Sequence, residues 1–195
     1  MADLHIYSDV SIPTDPQSKG VIGVGMVFVV DDEIINVETK VLPATMNSSR
    51  SDLGELRGIS EALKFFVRDQ HLYDHVHLYN DNLTLMEQFS MSVQHVGIKC
   101  KPEWEAAAPL IKQQMKTIDP FIRSRKLRMF QIGREGDPFI QIADYFSRTC
   151  YVGVYPVGAI NKVRCYLRKR EYTNQHVLNA VNTINARLGL NHPVA

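Results

Sequence analysis

Leu4-His5-Ile6-Tyr7-Ser8-Asp9-Val10-Ser11 reads as a short β-strand that ends in a carboxylate and then runs into a turn-rich segment. Strand interiors disfavour Asp, so Asp9 marks either a strand end or a position where charge is wanted. Which of the two holds depends on where the other carboxylates fall. Outward from this strand, Ile12 to Gly20 is a loop by composition, with Pro13 and Pro16. Val21 to Val30 is β-branched and predicts a second strand, Asp31-Asp32 a hairpin turn, and Ile34 to Val41 a third strand. The chain therefore opens as a three-stranded antiparallel meander.

A polar loop from Pro43 to Asp52 precedes a helix to about Arg68, capped by Ser51 or Asp52. Its apolar stripe of Leu56, Ile59, Leu63, Phe66 and Val67 has the spacing of a helix lying on a sheet. Glu55 projects from the edge of that stripe. It is either a carboxylate that needs a partner, since an unpaired charge is costly to bury, or a first-turn glutamate favoured by the helix dipole. His75 to Tyr79 is a fourth strand, and the β-α-β order predicts parallel pairing in a mixed α/β sheet. Asp81 follows it, either as a site carboxylate just past a strand end or as the N-cap of a helix from Leu83 to Phe89.

Pro102 to about Ile122 is a helix with Trp104, the single tryptophan, assigned to the core. The basic run from Arg123 to Arg128 leads into a fifth strand, Leu127 to Ile132. Asp137 caps a further helix with Pro138 at its first position, running from Phe139 to about Tyr151 with Ile140, Ala143, Phe146 and Cys150 on one face. Asp144 stands beside that face with Arg148 one turn on, which makes an intrahelical salt bridge its simplest structural role. Beyond Val152 a strand (Val163 to Leu167) and an amphipathic helix (Asn174 to Leu188) are predicted as an extension, not a second domain. The expected organisation is a domain over residues 1–151 and an extension over 152–195.

Composition narrows the function class. The hydrophobic fraction of 45% and charged fraction of 22% are those of an ordinary globular domain. No apolar run approaches the ~20 residues needed to span a bilayer. Three widely spaced cysteines argue against a disulfide scaffold or thiolate metal site, and with no export signal a reducing cytoplasm is expected. The net charge of +1 hides a polarity: residues 1–96 hold 14 Asp/Glu against 6 Lys/Arg, and residues 97–195 hold 7 against 16. A basic half is the usual footprint of a polyanionic partner.

Four acids thus stand at comparable places: Asp9, Glu55, Asp81 and Asp144. Their order on the elements β-β-β-α-β-α-α-β-α resembles the ribonuclease H fold and its D-E-D-D site. The local motifs are similar too. Ile6-Tyr7-Ser8-Asp9 resembles the first-strand aspartate, Gly54-Glu55-Leu56 the helix glutamate, and Tyr79-Asn80-Asp81-Asn82 the strand-end T-D-S element. Pro102-Glu103-Trp104 resembles the Leu-Trp that opens a later helix, and Gly133-x-x-Gly136-x-Pro138 with Ala143-Asp144 the G-H-x-G-x-P…A-D segment. The resemblance spans roughly residues 4–151. It departs at one place: the segment's histidine falls on Arg134 and its asparagine on Ile140, with Glu135 or Asp137 as a candidate substitute.

The resemblance implies a ribonuclease H-like mixed five-stranded sheet flanked by helices. It also implies a nuclease that cuts the RNA strand of RNA–DNA hybrids with two Mg²⁺ or Mn²⁺ ions. Asp9 would bridge both ions, with Glu55 and Asp81 on one and Asp144 on the other. Hard divalent cations suit oxygen ligands, and two ions about 4 Å apart can activate water and neutralise phosphate. Lys101, Arg125, Lys126, Arg128 and Arg134 are the candidate phosphate contacts, so binding should weaken with salt. Two alternatives stand beside this: a nuclease of the same superfamily acting on other RNA or DNA, and a non-catalytic nucleic-acid-binding module with a degenerate site.

Overall fold

In a computed structural model, residues 2–12, 21–43, 51–83, 85–86, 108–133 and 137–150 are described. The elements are β1 (Leu4–Ser11), β2 (Val21–Val30), β3 (Glu33–Pro43), α1 (Ser51–Asp69), β4 (Val76–Asn80), α2 (Ala108–Arg123), β5 (Leu127–Gln131) and α3 (Pro138–Thr149). The strands form one mixed sheet in the order β3-β2-β1-β4-β5. β1–β2 and β2–β3 pair antiparallel, whereas β1–β4 and β4–β5 pair parallel. This is the mixed five-stranded sheet that the sequence predicts.

The antiparallel half follows from the Asp31-Asp32 turn. Val30 pairs with Glu33, so only these two residues connect the strands, and both adopt positive φ, 50° and 62°. Two such residues make the twist of the turn match that of the flanking strands, and Asp tolerates the left-handed region better than most residues. The parallel half follows from α1, which carries the chain across one face before β4 returns beside β1.

β1 is buried on both faces, as a central strand must be. Side-chain alternation sends Ile6 and Val10 towards α1 and α2, into a core with Met26, Ile59, Phe66 and Leu78. Tyr7 points the other way, into a second cluster with Val27, Ile140 and Phe146 under α3. The sheet is thus sandwiched, with α1 and α2 on one face and α3 on the other.

Two close approaches set how near the helices lie. A Cβ at Gly58 of α1 would sit 2.4 Å from Val10 Cγ2, and one at Gly54 2.8 Å from Ile12 Cδ1. A Cβ at Gly25 of β2 would meet the backbone of α3, 2.2 Å from the Ala143 carbonyl oxygen and 2.6 Å from Ser147 N. A helix-interior glycine costs about 1 kcal/mol relative to alanine. Gly54 and Gly58 offset that by letting α1 settle on β1.

α3 begins as the sequence predicts: Asp137 Oδ1 accepts from Phe139 N (2.7 Å) and Ile140 N (3.3 Å), with Pro138 in the first turn. After β4 the cap differs from one of the two roles considered for Asp81. It is Asn82 whose Oδ1 accepts from Leu85 N at 3.1 Å, while Met86 N donates to the Asn82 carbonyl. An amide oxygen caps as well as a carboxylate. Trp104, the first turn predicted for α2, most of the helix predicted from Leu83, and the extension over 152–195 lie outside the described residues.

Candidate metal centre

The pairing of β1 with β4 ends at Tyr7 and Tyr79. Asp9 and Asp81 each lie two residues further on, level with one another where the two parallel strands part. This is the carboxyl end of parallel strands, the place where α/β sheets open a crevice for ligands. Glu55 reaches the same place from the second turn of α1, which Gly54 and Gly58 hold against β1.

Asp9, Glu55 and Asp81 each offer a carboxylate oxygen, and these three oxygens lie within 4.8 Å of one another. Asp9 is fully buried, Glu55 is 7% exposed, and Asp81 is half-buried at the mouth. Three carboxylates this close repel, and burial strengthens the repulsion by lowering the local dielectric. A hard divalent cation among them reverses the sign. The donor set therefore fits Mg²⁺ or Mn²⁺, both of which take carboxylate oxygens and retain waters.

Two neutral side chains hold this group. Asn80, fully buried at the end of β4, donates through Nδ2 to the Ser8 carbonyl (2.8 Å) and towards Glu55 Oε2 (3.3 Å). Its Oδ1 accepts from Asn82 N at 2.8 Å, closing an Asx turn around Asp81. On the other face of the sheet, Ser147 Oγ lies 3.1 Å from Asp9 Oδ2 and 2.8 Å from the Asp144 carbonyl, so its one proton is shared between them.

Asp144 is fully buried on the same helix face, one turn before Ser147. Its Oδ1 accepts from Arg148 Nε and Nη2, both at 2.9 Å. Among the described residues the 4.8 Å group comprises Asp9, Glu55 and Asp81; Asp144 is outside it, with its Oδ1 held by the Arg148 guanidinium. The intrahelical salt bridge considered from the sequence is present.

The candidate phosphate contacts fall elsewhere. Arg125 and Lys126 precede β5, whose Leu127 is level with Val76 at the amino end of the parallel strands. Five residues of strand, ~16 Å, separate that level from the carboxylates. Arg125 is exposed, with φ 61° just after α2. Lys126 is half-buried and its Nζ donates to the Tyr73 carbonyl. Arg128 is exposed on β5. Lys101, Arg134 and Glu135 lie outside the described residues, and Asp137 is committed to capping α3.

Nothing in the sequence singles out Asn80, Ser147, Gly25 or Gly58 for the site. The signals available were weak. Asn is depleted in strands, Ser147 lies three residues from Asp144 and so shares its helix face, and glycines inside a helix or strand mark close approach.

No protein-family model matches the sequence, and a search of curated proteins finds no match. Solved structures do match. The chain is similar to LC11-RNase H1, isolated from compost, at 18% identity over 79% of this chain and 99% of that one, with a TM-score of 0.53. It is similar to the N-terminal ribonuclease H domain of Rv2228c from Mycobacterium tuberculosis at 18% identity, over 83% and 99% of the two chains, with a TM-score of 0.52. The prototype foamy virus ribonuclease H domain aligns at 14% identity over 75% and 91%, with a TM-score of 0.51. Likeness at these identities is likeness of fold: the chain has the ribonuclease H-like fold.

Proposed function

From a chain with the ribonuclease H-like fold, we propose a divalent-metal-dependent nuclease that hydrolyses the RNA strand of an RNA–DNA hybrid. The observation that carries this reading is the meeting of Asp9, Glu55 and Asp81 within 4.8 Å at the carboxyl end of β1 and β4. Fold alone does not assign a function. A buried cluster of like charges is costly as structure and useful as a cation site.

Asp9, Glu55 and Asp81 would hold one Mg²⁺ or Mn²⁺ ion, and Asp9 with Asp144 a second. When bound, such ions neutralise charge on the phosphate and lower the pKa of an attacking water. Asp9 and Glu55, drawn into the protein, keep bulk water from their inner faces, and Asp81 at the mouth leaves the phosphate an approach. Arg125 and Arg128 stand toward the amino end of the parallel strands, so only a polyanion that extends well beyond the carboxylates would meet them.

One observation favours a second reading. Asp144 stands outside the 4.8 Å group with its Oδ1 engaged by Arg148, so a second ion would need Asp144 to move toward Asp9. If it does not, the chain is a nucleic-acid-binding module with an incomplete site. The test is to incubate the full chain with labelled RNA–DNA hybrid, double-stranded RNA and DNA, in Mg²⁺ or Mn²⁺, beside Asp9→Asn. Cleavage confined to the RNA strand of the hybrid and lost in Asp9→Asn is expected. Asp9-dependent cleavage of another substrate transfers the reading to a different nuclease, and binding without cleavage supports the non-catalytic module.

A further inference from the structure

We propose that Asn80 and Ser147 are positioning residues. They are neutral donors, on opposite faces of the sheet, that hold Glu55 and Asp9 in the orientation a divalent cation requires. This rests on the metal-centre reading and adds to it two residues outside the four acids.

The geometry assigns Asn80 three tasks at once. Its amide nitrogen takes the Ser8 carbonyl (2.8 Å) just past the last β1–β4 pair and also approaches Glu55 (3.3 Å). It therefore ties strand, helix and carboxylate together at the point where the ladder stops. Its amide oxygen holds Asn82 N (2.8 Å), which bends the backbone carrying Asp81. One fully buried side chain thus touches the supports of two metal-ligating candidates.

Ser147 performs the corresponding task from α3. Its Oγ is anchored by the Asp144 carbonyl and faces Asp9 Oδ2. The hydroxyl reaches Asp9 because Gly25, paired with Asp9 across β1 and β2, has no Cβ to keep α3 away. Any larger residue at position 25 would meet α3 backbone, which cannot swing aside as a side-chain tip can.

The neutrality of both donors has a chemical consequence. A lysine or arginine would orient a carboxylate but also cancel its charge and compete with the cation. An amide or hydroxyl orients and leaves most of the negative potential in place. Hydrogen-bond partners behind metal ligands fix ligand orientation, and their loss typically weakens metal affinity ~10–100-fold.

The test is Mn²⁺ binding to the full chain without nucleic acid, by calorimetry and by the Mn²⁺ electron paramagnetic resonance signal. Wild type, Ser147→Ala, Asn80→Ala, Glu55→Gln and Glu61→Gln are compared, with thermal unfolding of each apoprotein. Ser147→Ala removes one oxygen from a packed helix and keeps the test valid if Asn80→Ala fails to fold. The Mn²⁺ Kd should rise about 10-fold or more in Ser147→Ala and Asn80→Ala, with binding recovered at high Mn²⁺. Glu61→Gln should lower the melting temperature yet leave Kd within about twofold, because a merely structural loss does not alter the affinity of the folded protein. If wild type binds, Glu55→Gln does not, and both positioning variants bind like wild type, the inference is overturned and the metal centre stands. If wild type binds no Mn²⁺, the metal-centre reading falls and this inference with it.

Discussion

Helix α1 carries two buried glutamates six residues apart, and their surroundings differ in kind. Glu61, 6% exposed, accepts from Lys40 Nζ and Lys64 Nζ, both at 2.5 Å. Burial alone would raise its pKa, but these lysines outweigh that and hold it below the usual glutamate value. Glu55, 7% exposed, faces the Asn80 amide and shares its space with the carboxylates of Asp9 and Asp81. Among the described residues, Glu61 lies between two lysines, whereas Glu55 lies beside two further carboxylates. A buried acid among ammonium groups strengthens the fold, whereas a buried acid among acids weakens it until a cation arrives.

The strongest way to break this contrast is to remove the acid at its centre. Asp9→Asn should lower nuclease activity at least ~100-fold, the scale of losing one preorganised electrostatic group. Single-turnover cleavage at saturating Mg²⁺ measures it, and activity within tenfold of wild type would exclude Asp9 from the chemistry.

Next in size is the spacing that brings the acids together. Gly25→Ala places a methyl against α3 backbone, and a cost of about 3 kcal/mol is expected, at the top of the usual range for overpacking. Gly58→Ala presses on the Val10 side chain, which can give a little, and should cost less. Urea unfolding midpoints rank the two, and the opposite order would contradict the close approach of α3.

The two glutamates themselves should respond with opposite signs. Glu61→Gln loses ion pairs to a half-buried and an exposed lysine that can rehydrate, so about 1 kcal/mol of destabilisation is expected, the upper end for exposed pairs. Glu55→Gln should stabilise the apoprotein by about 1 kcal/mol, the Coulomb energy of two unit charges 4 Å apart in water. It should also abolish the stabilisation by Mn²⁺, which at 100 times Kd is about 2.7 kcal/mol in wild type. Melting curves with and without Mn²⁺ separate the pair, and a fall in apo stability on Glu55→Gln would break the comparison.

The smallest effect is in pH. The folded pKa of Glu61 lies below its unfolded value, so the folded state holds the charged form more tightly. Its contribution is fully present above about pH 4.5 and disappears as pH falls through the folded pKa. Between pH 6 and pH 3, wild type should lose stability that Glu61→Gln does not. Parallel curves for the two proteins would remove Glu61 from the balance.

Much of the fold was legible because it is local. The two-residue turn at Asp31-Asp32, the cap at Asp137-Pro138 and the periodicities of β1, β2 and α1 are signals between neighbours in sequence. The four acids were legible as residues out of keeping with their elements. Which residue caps the segment after β4 was not, because Asp81 and Asn82 are both capable caps and backbone geometry at the strand end chose Asn82. Nor was Asn80 or Ser147. Their partners Ser8 and Asp9 lie 72 and 138 residues away, and only pairing of the strands and docking of α3 reveals them.

The sequence by itself determined the order of strands and helices, the parallel return of β4, and which acids were out of keeping with their elements. All of these follow from side-chain period and turn chemistry. Only the tertiary structure decided that Asp9, Glu55 and Asp81 share one space while Asp144 is held by Arg148, and that Asn80 and Ser147 stand behind two of them. The physical reason is distance. A carboxylate's energy is set by charges and donors within a few ångströms, and at this site those come from four separate elements, drawn together where glycines let the helices approach the sheet.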